Sequence, residues 1–186
     1  MSREARRGPI VGTAPQTITV LEPPGKELRP SIGPGRPVLI SGRFLTPAGR
    51  TALAQSYSWA MALSADESTA VLLSRNAFQV ISTAEPKVVD RFPAFGQKAP
   101  KWLEDGAYMG CAFSPDSQKL YLGSANCGEI VVYDLKTCAD VDRININGDG
   151  YQDSFLGDFL LSKDGTFLCG VDQFNYRLVV VDLGQR

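Results

Sequence analysis

Three short stretches pair a serine with a carboxylate two residues on: Ser64-Ala-Asp66, Ser114-Pro-Asp116 and Ser162-Lys-Asp164. A serine near an acid could belong to a nucleophilic site if a base stood ready to take the hydroxyl proton. The chain contains no histidine. That removes the commonest general base and the commonest metal ligand. An enzyme built from this sequence would have to use carboxylates, lysine, tyrosine or a carboxylate-bound metal. The threefold recurrence also argues against catalysis, because each copy would need a site of its own. Pro115 pre-sets φ for a turn, and an aspartate at this position accepts bonds from turn amides. The three stretches therefore read as turns, and no catalytic constellation is legible.

Other residues could bind. Asp158 stands four positions before its serine, where the other copies carry Ala60 and Gly110. A carboxylate in a small-residue slot needs water, a cation or a hydrogen-bond partner. Beside Asp153 it could contact a divalent cation such as calcium, the one cofactor the pattern admits. Asn145-Ile-Asn-Gly-Asp-Gly150 imitates the start of a calcium loop, but Leu156 stands at its twelfth position, where a bidentate glutamate is required. It reads as a polar loop. Trp102, Tyr108, Asn126, Tyr151, Asp153, Asp172 and Gln173 fall between apolar runs, and together they make a candidate binding rim of aromatics, amides and carboxylates. Cys111, Cys127, Cys138 and Cys169 form no C-x-x-C pair and lack zinc spacing. Cys127 and Cys138 flank one predicted strand, too far apart to bridge. Cys111 and Cys169 occupy apolar strand positions and read as buried free thiols, which leans toward a reducing compartment.

These residues must be positioned by a repeated unit. Ser64, Ser114 and Ser162 are spaced by 50 and 48 residues, a period that means arrays, propellers or solenoids. Each unit predicts an inner strand (59–63, 109–113, 158–161), a second (69–74, 119–123, 166–171) and a third (78–81, 129–133, 177–182). Fourth strands are expected at 87–92 and 141–146. No window sustains a 3.6-residue period, so the fold class is all-β. Four antiparallel strands in ~40–50 residues is the size of a β-propeller blade. The expectation is about three such blades in an incomplete ring, over repeats at about 54–104, 105–150 and 151–186.

Residues 1–36 carry six prolines and scattered glycines, and read as an irregular arm with one β-like run at 17–21. The partial propeller would then cover 37–186, beginning with a short hairpin over 37–53. Residues 1–50 hold eight basic and three acidic residues, and the remainder 19 − 8 = 11 basic and 20 − 3 = 17 acidic. The basic segment reads as a solvated arm rather than a nucleic-acid contact. The net charge of −1 gives no whole-chain field toward nucleic acid. No apolar run of ~7–15 residues follows the charged start, so no signal peptide is legible. No run approaches the ~18 residues of a membrane span.

"CAFSPDSQKLYLGSANCGEIVVYDL" (111–135) and "FLLSKDGTFLCGVDQFNYRLVVVDL" (159–183) resemble repeats of the YVTN, or YncE-like, β-propeller family. "SGRFLTPAG" (41–49) and "YQDSFLGD" (151–158) resemble a bacterial subgroup often joined to a C-terminal phosphoesterase of the alkaline-phosphatase type. The resemblance implies about seven blades, a frequently exported protein and a binding or scaffold role through the loop face. This chain departs from it: about three blades are legible, and the first repeat lacks the Pro and Gly of its turn. No phosphoesterase part is legible, so no metal ligand or nucleophile carries over. Three blades fall short of the four to eight that close a ring. The first expectation is therefore a fragment of a longer propeller, and the other is self-association through open blade edges. The functional expectation is a non-catalytic binding or scaffold module with a protein or small-molecule ligand not specified by the sequence. A propeller piece of a phosphoesterase is the alternative. A metal-dependent lactonase-like hydrolase comes third, because no cluster of three or more carboxylates is evident.

Overall fold

The structure, a computed structural model, describes residue 38 and residues 49–50, 52–55, 57–104, 109–124 and 128–185. The arm over 1–36, most of the hairpin expected over 37–53, and the candidates Tyr108 and Asn126 lie outside the described residues. The chain divides into two compact units, Met1–Gly49 and Arg50–Arg186, and every strand named below belongs to the second.

The serine turns shape the local structure. Ser64 Oγ donates to Asp66 at 2.6 Å, Ser114 Oγ to Asp116 at 2.5 Å and Ser162 Oγ to Asp164 at 2.6 Å. Each of these hydroxyl oxygens accepts the backbone N–H five residues on, from Thr69, Lys119 and Phe167. Each aspartate also accepts the N–H two residues further, from Ser68, Gln118 and Thr166. The turn amides are thus satisfied internally, as an exposed hairpin needs. The residue after each aspartate is left-handed, with φ of 60° at Glu67, 57° at Ser117 and 74° at Gly165. Only the third copy uses glycine, which takes that conformation without strain.

Each turn joins an inner strand to a second strand. The first sheet runs β1 (Ser58–Leu63), β2 (Thr69–Ser74), β3 (Ala77–Ser82) and β4 (Lys87–Phe92). A four-residue helix, α1 (Lys101–Glu104), precedes the second sheet. That sheet comprises β5 (Cys111–Phe113), β6 (Lys119–Ser124), β7 (Glu129–Asp134) and β8 (Ala139–Asn145). The third comprises β9 (Leu156–Leu161), β10 (Phe167–Asp172) and β11 (Arg177–Asp182). All pairings are antiparallel between sequence neighbours. The strands expected from the repeat are present, with ends moved by up to two residues. Among the described residues no helix is long and apolar enough to cross a membrane.

The sheets stack face to face. Val71, Leu73 and Phe78 of the first pack against Cys111, Phe113, Leu120, Leu122, Val131 and Tyr133 of the second. The opposite face of the second, with Ile130, Val132 and Ile144, packs against Leu156, Phe159 and Leu168 of the third. Inner strands β1, β5 and β9 lie in succession. Gly110 permits close approach at the second interface, since a Cβ there would sit 2.2 Å from a Phe159 ring carbon. The serine turns also touch in sequence: Ala65 N–H donates to Ser117 Oγ at 3.1 Å, and Gly165 abuts Pro115. This is blade-on-blade stacking of a propeller-like fold, with sheets of four, four and three strands.

One expectation is corrected. Cys111 is buried, and burial together with the nearby Asp158 charge pushes its thiol up to about 12. Cys169 is exposed, because the two-residue alternation of β10 turns it to the face away from the second sheet.

Candidate functional site

The loop entering β9 and the loop joining β10 to β11 meet at one end of the third sheet, and Asp172 ties them together. Asp172 is the last residue of β10 and is 0% exposed. Its Oδ1 accepts the backbone N–H groups of Phe155 at 3.1 Å and Asn175 at 3.3 Å. Its Oδ2 accepts Asn175 Nδ2 at 2.9 Å and Arg177 Nε at 3.0 Å. Burial by itself pushes such a carboxyl up. The bonds from Asn175, Arg177 and Ser154 outweigh burial and hold it well below the usual carboxylate range.

Arg177 is the cross-strand partner of Asp172 in the β10–β11 register. Its Nη2 donates to the Ile146 carbonyl at 2.6 Å and to Ser154 Oγ at 3.3 Å. Its guanidinium lies over the Tyr151 ring at 4.2 Å. Asn175 Nδ2 also reaches the Gln152 carbonyl at 3.1 Å, and the Ser154 N–H donates to Asn147 Oδ1 at 2.9 Å. The loop entering β9 and the loop joining β10 to β11 are therefore fixed by one buried carboxylate and its donors. A satisfied buried network of this kind rigidifies what it holds.

The side chains facing outward from this anchor are aromatic and acidic. Tyr151, Phe174 and Tyr176 are exposed, with Asp149 and Asp153 beside Tyr151 in sequence. Asp149, Asp153 and Tyr176 have φ of 54°, 53° and 53°. Gln173 covers Gly157, and its Nε2 reaches Met109 Sδ at 4.0 Å across to the second sheet.

The structure redistributes the residues that the sequence grouped as a rim. Tyr151, Asp153 and Gln173 are on it. Asp172 lies inside and holds it. Trp102 is 3% exposed within the first core, its ring parallel to Phe92 at 6.5 Å between centroids. Its indole N–H is buried without a hydrogen-bond partner, so the ring acts through packing. The short helix α1 turns it inward, which a loop assignment does not anticipate. Asp158 is exposed on β9 and accepts the Phe159 N–H at 2.9 Å. Among the described residues no three His, Cys, Asp or Glu side chains cluster closely enough to hold a metal. Arg177 and Ser154 were not singled out from sequence, and Asn147 entered only as part of the stretch that imitates a calcium loop. The Asp172–Arg177 pair had a signal, since opposite charges bracketing a four-residue loop fall directly across a hairpin. A cleft of about 200 Å³ lies at the other end of the inner strands, between Leu63, Phe113, Pro115, Leu161 and Lys163. It holds no convergent set of polar groups.

Comparison with known proteins supports the architecture. No protein-family model matches the chain. No curated protein sequence matches it either. Its fold is similar to a solved chain of Kuenenia stuttgartiensis hydrazine synthase, a β-propeller-containing protein, with a TM-score of 0.52 and 17% identity. The match covers 76% of this chain and 37% of that one, so this chain spans little more than a third of its neighbour's length. At this identity the likeness concerns the fold alone.

Proposed function

We propose that this chain is a non-catalytic β-propeller repeat module of the YncE-like kind that binds through the loop face around Tyr151, Phe174 and Tyr176. The observation that carries the reading is the Asp172 anchor. A fully buried carboxylate that accepts from Ser154, Phe155, Asn175 and Arg177 holds the two loops that display these aromatics. Rigid loops lose little entropy on binding, and exposed aromatic rings offer large contact area with few rotatable bonds. Asp149 and Asp153 add negative charge beside the rings. The chemistry that fits is a partly apolar, cationic ligand, such as a basic peptide segment.

A peptide and oligosaccharide array probed with the full chain tests this. Lysine- and arginine-containing peptides are expected to be retained by the parent chain and lost by a Phe174→Ala/Tyr176→Ala variant with an unchanged circular dichroism spectrum. Equal retention by both proteins contradicts the reading. The reading also requires that the chain alone hydrolyse neither an aryl phosphate nor a lactone, and turnover of either would refute the non-catalytic assignment.

A further inference from the structure

Two arginines, one in the first sheet and one in the third, are mounted alike and differ in one part. Arg177 on β11 has the Tyr151 ring over its guanidinium, the Ile146 carbonyl on Nη2 and the Asp172 carboxylate on Nε. Arg91 on β4 repeats the ring and the carbonyl. Its guanidinium lies over the Phe95 ring at 4.6 Å, and Nη1 donates to the Pro93 carbonyl. Its Nε donates to Gln55 Oε1 at 3.1 Å, so a neutral amide stands where Arg177 has a carboxylate. Arg143 also has carboxylates, Glu129 at 3.5 Å and Asp140 at 2.9 Å. Arg91 thus differs from both in having no negative partner among the described residues.

The mount is fixed from several sides. Arg91 is half-buried and stands opposite Gln79 in the β3–β4 register. Gln79 is buried, and its Oε1 accepts the Gln55 N–H at 2.7 Å. Gln55 Nε2 reaches Asn76 Oδ1 at 3.4 Å. Gln55 therefore ties the segment entering β1 to the β2–β3 turn and to β4, and holds the guanidinium in place. The bonds to Gln55 and Pro93 use Nε–H and one N–H of Nη1. Both N–H groups of Nη2 and the second of Nη1 remain, and these two nitrogens can grip a carboxylate side by side. Nothing acidic competes in the adjoining loops: residues 52–58, 75–76 and 93–100 contain no aspartate or glutamate and add the cations Arg75 and Lys98. Lys98 is paired with Glu104 at 3.5 Å, and Asp90 accepts the Arg91 backbone N–H. Phe95 is 87% exposed, so its ring is open to an apolar group beside the guanidinium.

We propose that this end of the first sheet is a carboxylate-binding site. Arg91 grips the carboxylate through Nη1 and Nη2, and Phe95 packs against the apolar body that carries it. The third sheet supplies the template, because there the same mount is completed by a carboxylate. A planar carboxylate matches one guanidinium fork, whereas a phosphate brings further oxygens and charge that one fork leaves unmet. The site does not rest on the Tyr151 face and takes ligands of the opposite charge. Small carboxylic acids and peptide C-termini share the chemistry it recognises.

Titration of the full chain, followed by NMR at the arginine Nε–H resonances, tests this with sodium benzoate, its neutral isostere benzamide and inorganic phosphate as probes. Benzoate is expected to shift the Arg91 signal saturably with a Kd of ~1–10 mM, the range open to so small a ligand. Benzamide and phosphate should each bind at least about tenfold more weakly. Arg91→Lys should lose about tenfold in benzoate affinity, because an ammonium lacks the fork. Phe95→Ala should weaken binding with an unchanged circular dichroism spectrum. Two peptides ending in phenylalanine, one with a free C-terminus and one amidated, separate the sources. A free peptide that binds at least about tenfold more tightly than benzoate assigns the site to chain ends, and one that binds no better assigns it to small acids. An Arg91 signal that does not saturate below about 50 mM benzoate overturns the proposal. So does benzamide or phosphate binding as tightly as benzoate, a comparison made on the parent chain alone. Benzoate binding unchanged in both variants would overturn it too.

Discussion

Replacing Asp172 by asparagine tests the anchor directly. The substitution keeps an acceptor at Oδ1 for the Phe155 and Asn175 amides. At Oδ2 it sets an NH₂ group against two donors, Asn175 Nδ2 and Arg177 Nε. Breaking one side of a buried ion pair costs ~3–5 kcal/mol. Arg177 is 19% exposed and keeps the Ile146 carbonyl and the Tyr151 ring, which places the loss at the lower end, about 3 kcal/mol. With a slope of about 2 kcal/mol per molar urea, the unfolding midpoint should fall by about 1.5 M. The pH dependence carries a definite sign. The folded carboxyl titrates well below its ordinary value of 3.8, so its contribution is fully present above that value and is lost as pH falls toward the folded one. The gap between parent and variant should stay constant from about pH 7 to about pH 5 and narrow only under acid conditions. A loss below about 1 kcal/mol, or a gap that closes between about pH 7 and pH 5, would refute the reasoning.

Gly165→Ala should destabilise by about 1–2 kcal/mol in urea unfolding, since φ is 74° and the new Cβ would stand 2.9 Å from Pro115. Glu67→Gly, at the same turn position with φ of 60°, should be neutral or stabilising, and a clear loss would mean the left-handed turn carries no strain. Gly110→Ala should cost about 1–3 kcal/mol through its clash with Phe159 and distinctly less in a Phe159→Leu background. Equal costs in the two backgrounds would place the strain elsewhere. Asp66 and Asp164 are held at about 2, and Asp116 is also lowered, in each case first by the hydroxyl of its turn serine. The contribution of Asp66 and Asp164 is present above 3.8 and lost as pH falls toward about 2, and that of Asp116 is lost in the same direction. The melting temperature of the parent should therefore drop more steeply over that window than that of a Ser64→Ala/Ser114→Ala/Ser162→Ala variant, and parallel curves would contradict the assignment.

The blades were legible because their determinants are local. A serine turn, an apolar run on each side and a fixed repeat length fall within about fifty residues, so β2, β6, β10 and their neighbours begin within two residues of where the pattern puts them. The site was less legible because its contacts are not local. Asp172 and Trp102 look like rim residues when only their loops are considered. Asp172 is drawn inside by donors from Ser154, Phe155 and Arg177, and Trp102 by the stacked Phe92. Cys169 was misjudged for the converse reason. Its strand is apolar on both faces, and sequence alone does not say that one face lacks a covering sheet among the described residues.

The account rests on a loop platform held rigid by a buried carboxylate. Native-state hydrogen exchange at the Phe155 and Asn175 amides measures this most directly, because both donate to Asp172 from outside the strands. The expected result is protection comparable to the β6 amides in the parent chain, lost in Asp172→Asn while β6 stays protected. Rapid exchange at both amides in the parent would show that the loops are not held, and would contradict the account.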